Sequence, residues 1–361
     1  MQPRDLSGHT AYRAGRGAEE VARDLGLDPD DLVKLSSNEN PLGPRPEAVA
    51  AIRAAIDSVH TYPKAVHADL TAAIADEWAL DTRQVWLAAG GDGFLDYISR
   101  AMLTPGDRVL VPDPGFAYYP MSARYHAGAV DRYHLNRDEG FEQTAETVLA
   151  AYDGHRIVYV TTPHNPTGSE MSPAEIEALA AATDEETLVV VDEAYAEFTT
   201  TPSARRLLDE REDICVLRTF SKAYGLAGLR LGYGLVPDAW ADAYDRVNTP
   251  FAVNTLACRA GLAALEDDDH IDRTVSTVQW AREYIRDNLA APTWPSGGNF
   301  VLVDAGDGAA VAEATRREGV IVRDCTSFGL PGCIRITCGT RETTTRAVET
   351  VNEVLSRGQS G

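Results

Sequence analysis

The sequence predicts an α/β protein, with a large domain on a mainly parallel sheet followed by a smaller α+β lobe. Three observations carry this. First, short apolar, β-branched runs recur: Arg108-Val-Leu-Val111, Ile157-Val-Tyr-Val160, Leu188-Val-Val-Val191, Cys215-Val-Leu217 and Leu231-Gly-Tyr-Gly-Leu-Val236. Continuous runs of this kind are buried on both faces, as parallel strands are. Second, helical patterns over 94–103, 173–183 and 203–211 lie between them, and strand–helix alternation is how parallel strands are connected. Third, the pattern changes after residue 250, where long helical periodicity precedes isolated strand-like runs.

Taken in order, the first 35 residues are polar and are expected to pack against the smaller lobe or a partner subunit. Trp86-Leu-Ala-Ala89 reads as a strand leading into the turn Gly90-Gly-Asp-Gly93, and a helix follows. The five runs above supply further strands, each ended by a polar or glycine-rich turn. A helical stretch from Thr255 to Leu289 carries an acidic break at Glu266-Asp-Asp-Asp269. Asn299-Phe-Val-Leu-Val303, Val320-Ile-Val-Arg323 and Cys333-Ile-Arg-Ile-Thr337 then read as strands of the second lobe. The expected division is an N-terminal arm over 1–35 that joins the small domain, a large ligand-binding domain over 36–250 and a small domain over 251–361.

A chain of 361 residues, 44% of them hydrophobic, is long enough for a large core and a second lobe. Its 55 acidic and 33 basic side chains leave a formal charge of −22, and only Lys34, Lys64 and Lys222 are lysines. No basic patch is available to neutralise phosphates, which argues against nucleic acid or anionic membrane as a partner. Such a surface suits concentrated salt, where a Debye length of about 3 Å screens self-repulsion; a salt-adapted organism is the expected source. Five cysteines without a CxxC pair argue against a disulfide framework or a zinc site, and no metal is expected. No apolar run approaches the ~18 residues of a membrane span, and the N-terminus has no signal-peptide core, so a cytoplasmic location is expected.

In open α/β sheets, ligands bind beyond the carboxyl ends of the strands, and chemically telling residues gather there. Lys222 stands in Thr219-Phe-Ser-Lys-Ala-Tyr-Gly-Leu-Ala-Gly-Leu-Arg-Leu-Gly-Tyr233. Arginine replaces a surface lysine as a charge, but not as an amine that must lose its proton and form a Schiff base. Asp192 follows three valines; a carboxylate so placed needs a cation to offset its desolvation, and a protonated pyridine nitrogen is one. Tyr195, three residues on, and Asn165, in Asn-Pro-Thr-Gly, are candidate donors to a phenolic oxygen of the same ring. The Gly90–Gly93 turn opens a helix whose N–H groups and dipole favour phosphate. Thr219, Ser221 and Arg230 are placed to close a cup around it, with Gly228 and Gly232 allowing close backbone approach. Phe116 is a candidate stacking partner. Taken singly, Asp192 also reads as a turn cap, Asn165 as a structural turn, and Tyr195 and Phe116 as core residues.

The ordered set of phosphate turn, aromatic, Asn, Asp, Tyr, Ser-Lys and Arg resembles the fold-type I pyridoxal-5′-phosphate (PLP) enzymes of the class I/II aminotransferase family. The resemblance covers nearly the whole chain. It is closer still to histidinol-phosphate aminotransferases, through Tyr12-Arg-Ala-Gly15, Leu35-Ser-Ser-Asn-Glu-Asn-Pro-Leu-Gly-Pro44, Tyr62-Pro63, the block around Lys222, Ile321-Val-Arg-Asp324 and Ile334-Arg-Ile-Thr-Cys-Gly-Thr-Arg-Glu342. His164, where many members have Asn, and Gly91-Asp92-Gly93, in place of a more acidic turn, are small departures.

The resemblance implies a seven-stranded large-domain sheet and PLP as cofactor. It implies that Lys222 carries the cofactor and shuttles a proton, that Asp192 keeps the pyridine nitrogen protonated, and that Asn165 and Tyr195 bond the phenolic oxygen. Gly91, Asp92, Thr219, Ser221 and Arg230 hold the phosphate, and Phe116 stacks on the ring. Tyr62 reaches the phosphate of a neighbouring subunit in a homodimer with shared sites. Arg335 clamps an amino-acid carboxylate, Arg323 takes a substrate phosphate, and Tyr12 and Asn38 cover the pocket. The implied reaction exchanges the amino group of glutamate with imidazole acetol phosphate, giving L-histidinol phosphate and 2-oxoglutarate.

Threonine-phosphate decarboxylation and aromatic-amino-acid transamination remain open on the same frame. A PLP-domain transcription regulator needs an N-terminal DNA-binding domain and a basic surface. A nicotinamide dehydrogenase needs Gly-x-Gly-x-x-Gly after the first strand, which Gly225, Gly228, Gly232 and Gly234 do not form.

Overall fold

The computed structural model describes residues 1, 6, 8–9, 17–64, 67–266 and 269–358. Among these, two sheets organise the chain. The larger has seven strands: β2 (Val85–Ala88), β3 (Arg108–Asp113), β4 (Ala129–His134), β5 (Ile157–Thr161), β6 (Leu188–Asp192), β7 (Ile214–Thr219) and β8 (Gly232–Leu235), in the spatial order β2-β8-β7-β6-β5-β3-β4. All pairings are parallel except those of β8, which runs antiparallel to β2 and β7. The apolar runs are strands because both faces are covered. Val158, Val160, Val189, Val191 and Val216 point into one core, and Ile157, Tyr159, Leu188, Val190 and Leu217 into another.

The smaller sheet has the order β1-β10-β11-β9, from β1 (Val33–Leu35), β9 (Phe300–Asp304), β10 (Val320–Asp324) and β11 (Cys333–Thr337). The polar N-terminal stretch ends in β1, which pairs parallel with β10 through Val33↔Val320 and Leu35↔Val322. The helical stretch after residue 254 is two helices, Thr255–Ala264 and Asp269–Asn288, parted at the acidic break. Thr255–Ala264 packs on the helices Pro46–Ala55 and Ala68–Trp78 beside the large sheet, whereas Asp269–Asn288 and the C-terminal helix Arg341–Gly358 pack on the small sheet.

Two local expectations need correction, and one strand, β4, has no counterpart among the apolar runs of the sequence. The helix expected over 94–103 spans Gly90–Met102, so the glycines form its first turn rather than preceding it. The segment 203–211 is a 3₁₀ turn, Ala204–Asp209. Its start is held by Ala204 N donating to Glu193 Oε1 (2.6 Å) and by Arg205 N donating to the capping Ser203 Oγ (3.1 Å). Strand β4 carries no apolar run because it is an edge strand with a mostly half-exposed, charged sequence.

Candidate active site

Strands β5, β6 and β7 end side by side, in the register Thr161↔Asp192 and Asp192↔Leu217. Beyond their carboxyl ends lies a cavity of about 240 Å³, closed on the far side by Arg323 of β10 and Arg335 of β11. Asp192 stands at its floor and is buried. Oδ1 accepts from Ala194 N (2.9 Å) and Oδ2 from the Tyr119 phenol (2.6 Å). Burial pushes its pKa up to about 6, against which these two hydrogen bonds work. A buried carboxylate with a face towards an open cavity suits a cation.

Lys222 lines the same cavity. Its Nζ lies 5.5 Å from the centre of the Tyr195 ring and donates to Ser37 O at 3.5 Å. Tyr195 Oη accepts from Asn38 Nδ2 at 3.0 Å. Asn38 has φ +55° and is fixed there by Thr337, which bonds both its N–H and its Oδ1 (3.0 and 3.1 Å), and by Asn299 Nδ2 on its carbonyl (3.0 Å). Arg335 Nη1 donates to the Asn165 side chain and Nη2 to Ser36 O (3.0 Å). A guanidinium only donates, so it faces the amide oxygen of Asn165 and leaves the NH₂ end for other acceptors. Arg323 and Arg335 both lie against Phe328, at 5.4 and 5.7 Å from the ring centre, and Arg323 also donates to Ser327 Oγ (3.1 Å).

At the opposite end a cradle forms where the helix Gly90–Met102 begins. Arg230, itself at φ +55°, lays its guanidinium over Gly90; a Cβ there would stand 2.9 Å from Arg230 Cζ. Nη1 reaches Ser221 Oγ (3.5 Å) and Nη2 reaches Asp92 Oδ2 (3.3 Å). Thr219 Oγ1 donates to Ser221 Oγ at 3.0 Å. Helix N–H groups, a guanidinium and two hydroxyls make a site for a phosphate. Asp92 carries a carboxylate into this cradle, and burial raises its pKa. Of the glycines beside Arg230, Gly232 is required by packing, since its Cβ would meet Gly90 C at 2.7 Å and Gly91 N at 2.8 Å. Gly228 has open space around it, which corrects the expectation for that residue.

Phe116 also lines the cavity, edge-on to Tyr119 at 5.5 Å. The cavity thus brings together Lys222, Asp192, Tyr195, Asn165, Gly91, Asp92, Thr219, Ser221, Arg230, Phe116, Asn38, Arg323 and Arg335. Tyr62 is not brought in: it is 82% exposed and packs on Phe251, with 5.0 Å between ring centres. Tyr12 lies outside the described residues. Arg341 stacks on Trp280 at 4.5 Å, and His164 is buried with its Nδ1 on Thr167 Oγ1 (2.8 Å). Tyr119, Thr161 and Phe328 escaped the reading of the sequence. Phe328 sits only five residues after Arg323, but nothing local says that its ring meets both arginines; Tyr119 and Thr161 join the site only through the strand register.

A family model described as "Aminotransferase class I and II" matches residues 30–351. A histidinol-phosphate aminotransferase of Natronomonas pharaonis is 67% identical over 355 residues, covering 98% of this chain and 100% of that one. The histidinol-phosphate aminotransferase of Haloarcula marismortui is 64% identical over 98% of this chain and 99% of its own. The chain belongs to the class I and II aminotransferases, among the histidinol-phosphate aminotransferase family. A crystal structure of histidinol-phosphate aminotransferase from Sinorhizobium meliloti, in complex with pyridoxal-5′-phosphate, aligns with this aminotransferase at a TM-score of 0.86 and 28% identity, over 95% of this chain and 96% of that one. The fold is that of the fold-type I aminotransferases. The two sequence relatives come from halophilic archaea, in keeping with the acidic composition of this aminotransferase.

Proposed function

We propose that this aminotransferase uses PLP to exchange an amino group between L-histidinol phosphate and 2-oxoglutarate, a step of histidine biosynthesis. The observation that carries the reading is one cavity with an amine and a buried carboxylate at its centre, a phosphate cradle at one end and two arginines at the other, on a chain 64–67% identical to named histidinol-phosphate aminotransferases. The residues fit the cofactor. A carboxylate that is costly to bury unpaired suits a pyridine N–H, and the Gly90–Arg230 cradle suits its phosphate. When bound, PLP supplies an aldehyde that joins an amine and a protonated ring that accepts the electron pair released at the reacting carbon.

The remaining roles fall to side chains. Lys222 presents the amine and carries the proton at the reacting carbon. Asp192 keeps the ring nitrogen protonated. The Asn165 NH₂ and the Tyr195 hydroxyl donate to the phenolic oxygen. Ser221, Thr219, Arg230 and the N–H groups of Gly91 and Asp92 hold the phosphate, the Asp92 carboxylate staying on Arg230. Phe116 covers one ring face. Arg335 clamps the carboxylate of glutamate and Arg323 the phosphate of the other substrate, with Asn38 and Tyr12 over the pocket.

The protein works as a cytoplasmic homodimer, each copy's Tyr62 reaching its partner's phosphate cradle. Tyr62 is exposed and does not line the cavity of its own copy, which supports this. The relatives' names favour this reading over threonine-phosphate decarboxylation and aromatic-amino-acid transamination. The test is a half-reaction in molar KCl. PLP-loaded protein is mixed separately with histidinol phosphate, threonine phosphate and phenylalanine, and the cofactor's absorbance is followed. Fast conversion to the pyridoxamine form with histidinol phosphate is expected. Faster conversion with phenylalanine, or CO₂ release from threonine phosphate, overturns the substrate assignment.

A further inference from the structure

We infer that Tyr119 is a positioning residue of the reaction: by donating its phenol proton to Asp192 Oδ2 it holds that carboxylate in one orientation, as an anion facing the cavity. The inference rests on the PLP reading above. Tyr119 is 0% exposed, with its Oη 2.6 Å from Asp192 Oδ2 and 2.8 Å from Thr161 Oγ1. A phenol has one proton and a carboxylate only accepts. That proton therefore lies towards Asp192, and Thr161 is the donor in the second bond. Donation runs from Thr161 through Tyr119 to Asp192, ending on the group that must stay charged to hold a ring cation.

Ala194 N–H binds the other carboxylate oxygen at 2.9 Å. With one donor on each oxygen the carboxylate is locked against rotation, and lone pairs remain for the cavity. The Tyr119 ring is itself fixed. It stacks on Tyr159 at 4.7 Å with planes 10° apart, and meets Phe116 edge-on at 5.5 Å and 83°. One side chain thus aligns both the carboxylate and the aromatic platform beside it. Burial drives Asp192 towards its neutral form, and the Tyr119 bond is the foremost influence opposing it. A neutral carboxyl would not keep a pyridine nitrogen protonated.

Tyr119→Phe removes the O–H and keeps the ring. Wild type and variant are loaded with PLP labelled with ¹⁵N in the ring, and the nitrogen chemical shift, the PLP dissociation constant and the steady-state constants are measured at neutral pH. In the variant the nitrogen signal is expected to move downfield, towards the unprotonated position. PLP should bind about tenfold more weakly, the size of a lost hydrogen bond to a charged group. kcat should fall while KM for histidinol phosphate stays within about twofold.

Thr161→Val, which leaves both Asp192 bonds in place, is the second variant should the first fail to fold. It is expected to move the nitrogen signal in the same direction by less, whereas a purely structural role moves it in neither. Wild-type protein that binds no PLP overturns the PLP reading and the inference with it. PLP bound with the same ¹⁵N shift in wild type and variant overturns the inference alone.

Discussion

Asp192 carries a stability cost that the cofactor-free protein should reveal. Its pKa stands at about 6 in the fold against an ordinary 3.8, because burial disfavours the charged form. A raised carboxyl pKa means that the folded chain binds the proton more tightly than the unfolded one. Below pH 3.8 both states hold the proton and Asp192 costs nothing. As pH rises from there through about 6 the fold loses stability, and above that the full penalty, on the order of 3 kcal/mol, is present. Cofactor-free Asp192→Asn protein should therefore melt higher than wild type at neutral pH, with the gap closing as pH is lowered through 6; differential scanning calorimetry at several pH values measures this. A gap that does not vary with pH would mean that the charge does not feel the burial. Lys222, Asp192, Asn165 and Tyr195 were legible in the sequence because the chemistry demands those residue types after those strands. Tyr119 was not: a tyrosine three residues after Phe116 reads as core until register sets β5 and β6 beside its helix.

At the level of elements, the cradle depends on β8 lying directly against the start of the helix Gly90–Met102. A Cβ at Gly232 would meet backbone atoms of Gly90 and Gly91, which cannot swing aside as a side chain does. Gly232→Ala should push the strand from the helix at an overpacking cost of about 1–3 kcal/mol. It should weaken PLP binding about tenfold or more in an absorbance titration, while Gly228→Ala, facing open space, should leave it unchanged. Equal effects from both would remove the packing argument. The strands of the large sheet were legible where both faces are apolar, as in Leu188–Val191. They were illegible in β4, whose exposed edge carries charge, and in three-residue β1, which is a strand only because β10 lies beside it. The turn Ala204–Asp209 has helical periodicity, and over six residues that pattern does not separate a 3₁₀ turn from an α-helix.

The whole molecule carries a formal charge of −22. At about 0.1 M salt the Debye length is roughly 10 Å and neighbouring carboxylates repel; at 1 M it is about 3 Å and they do not. The thermal midpoint should rise by at least about 5 °C between 0.1 and 2 M KCl, roughly 4 kcal/mol for a chain of this size. A midpoint indifferent to salt would separate the acidic surface from salt adaptation. Sedimentation in molar KCl should give a dimer, and Tyr62→Ala should weaken PLP binding without changing the sedimentation coefficient. This whole-molecule scale was the least legible in the residues themselves: charge and composition spoke to solvent and partners, while the pairing of subunits came only with the family resemblance.

The central claim is that Lys222, rather than either other lysine, is the amine that takes the cofactor. Borohydride reduction of the PLP-loaded protein fixes the cofactor to whichever amine it has joined, and peptide mass spectrometry then reads the position. A single PLP-sized mass increase on the peptide containing Lys222, absent in Lys222→Ala, is predicted. A label on Lys34 or Lys64, or none on any lysine while PLP remains bound, would contradict it.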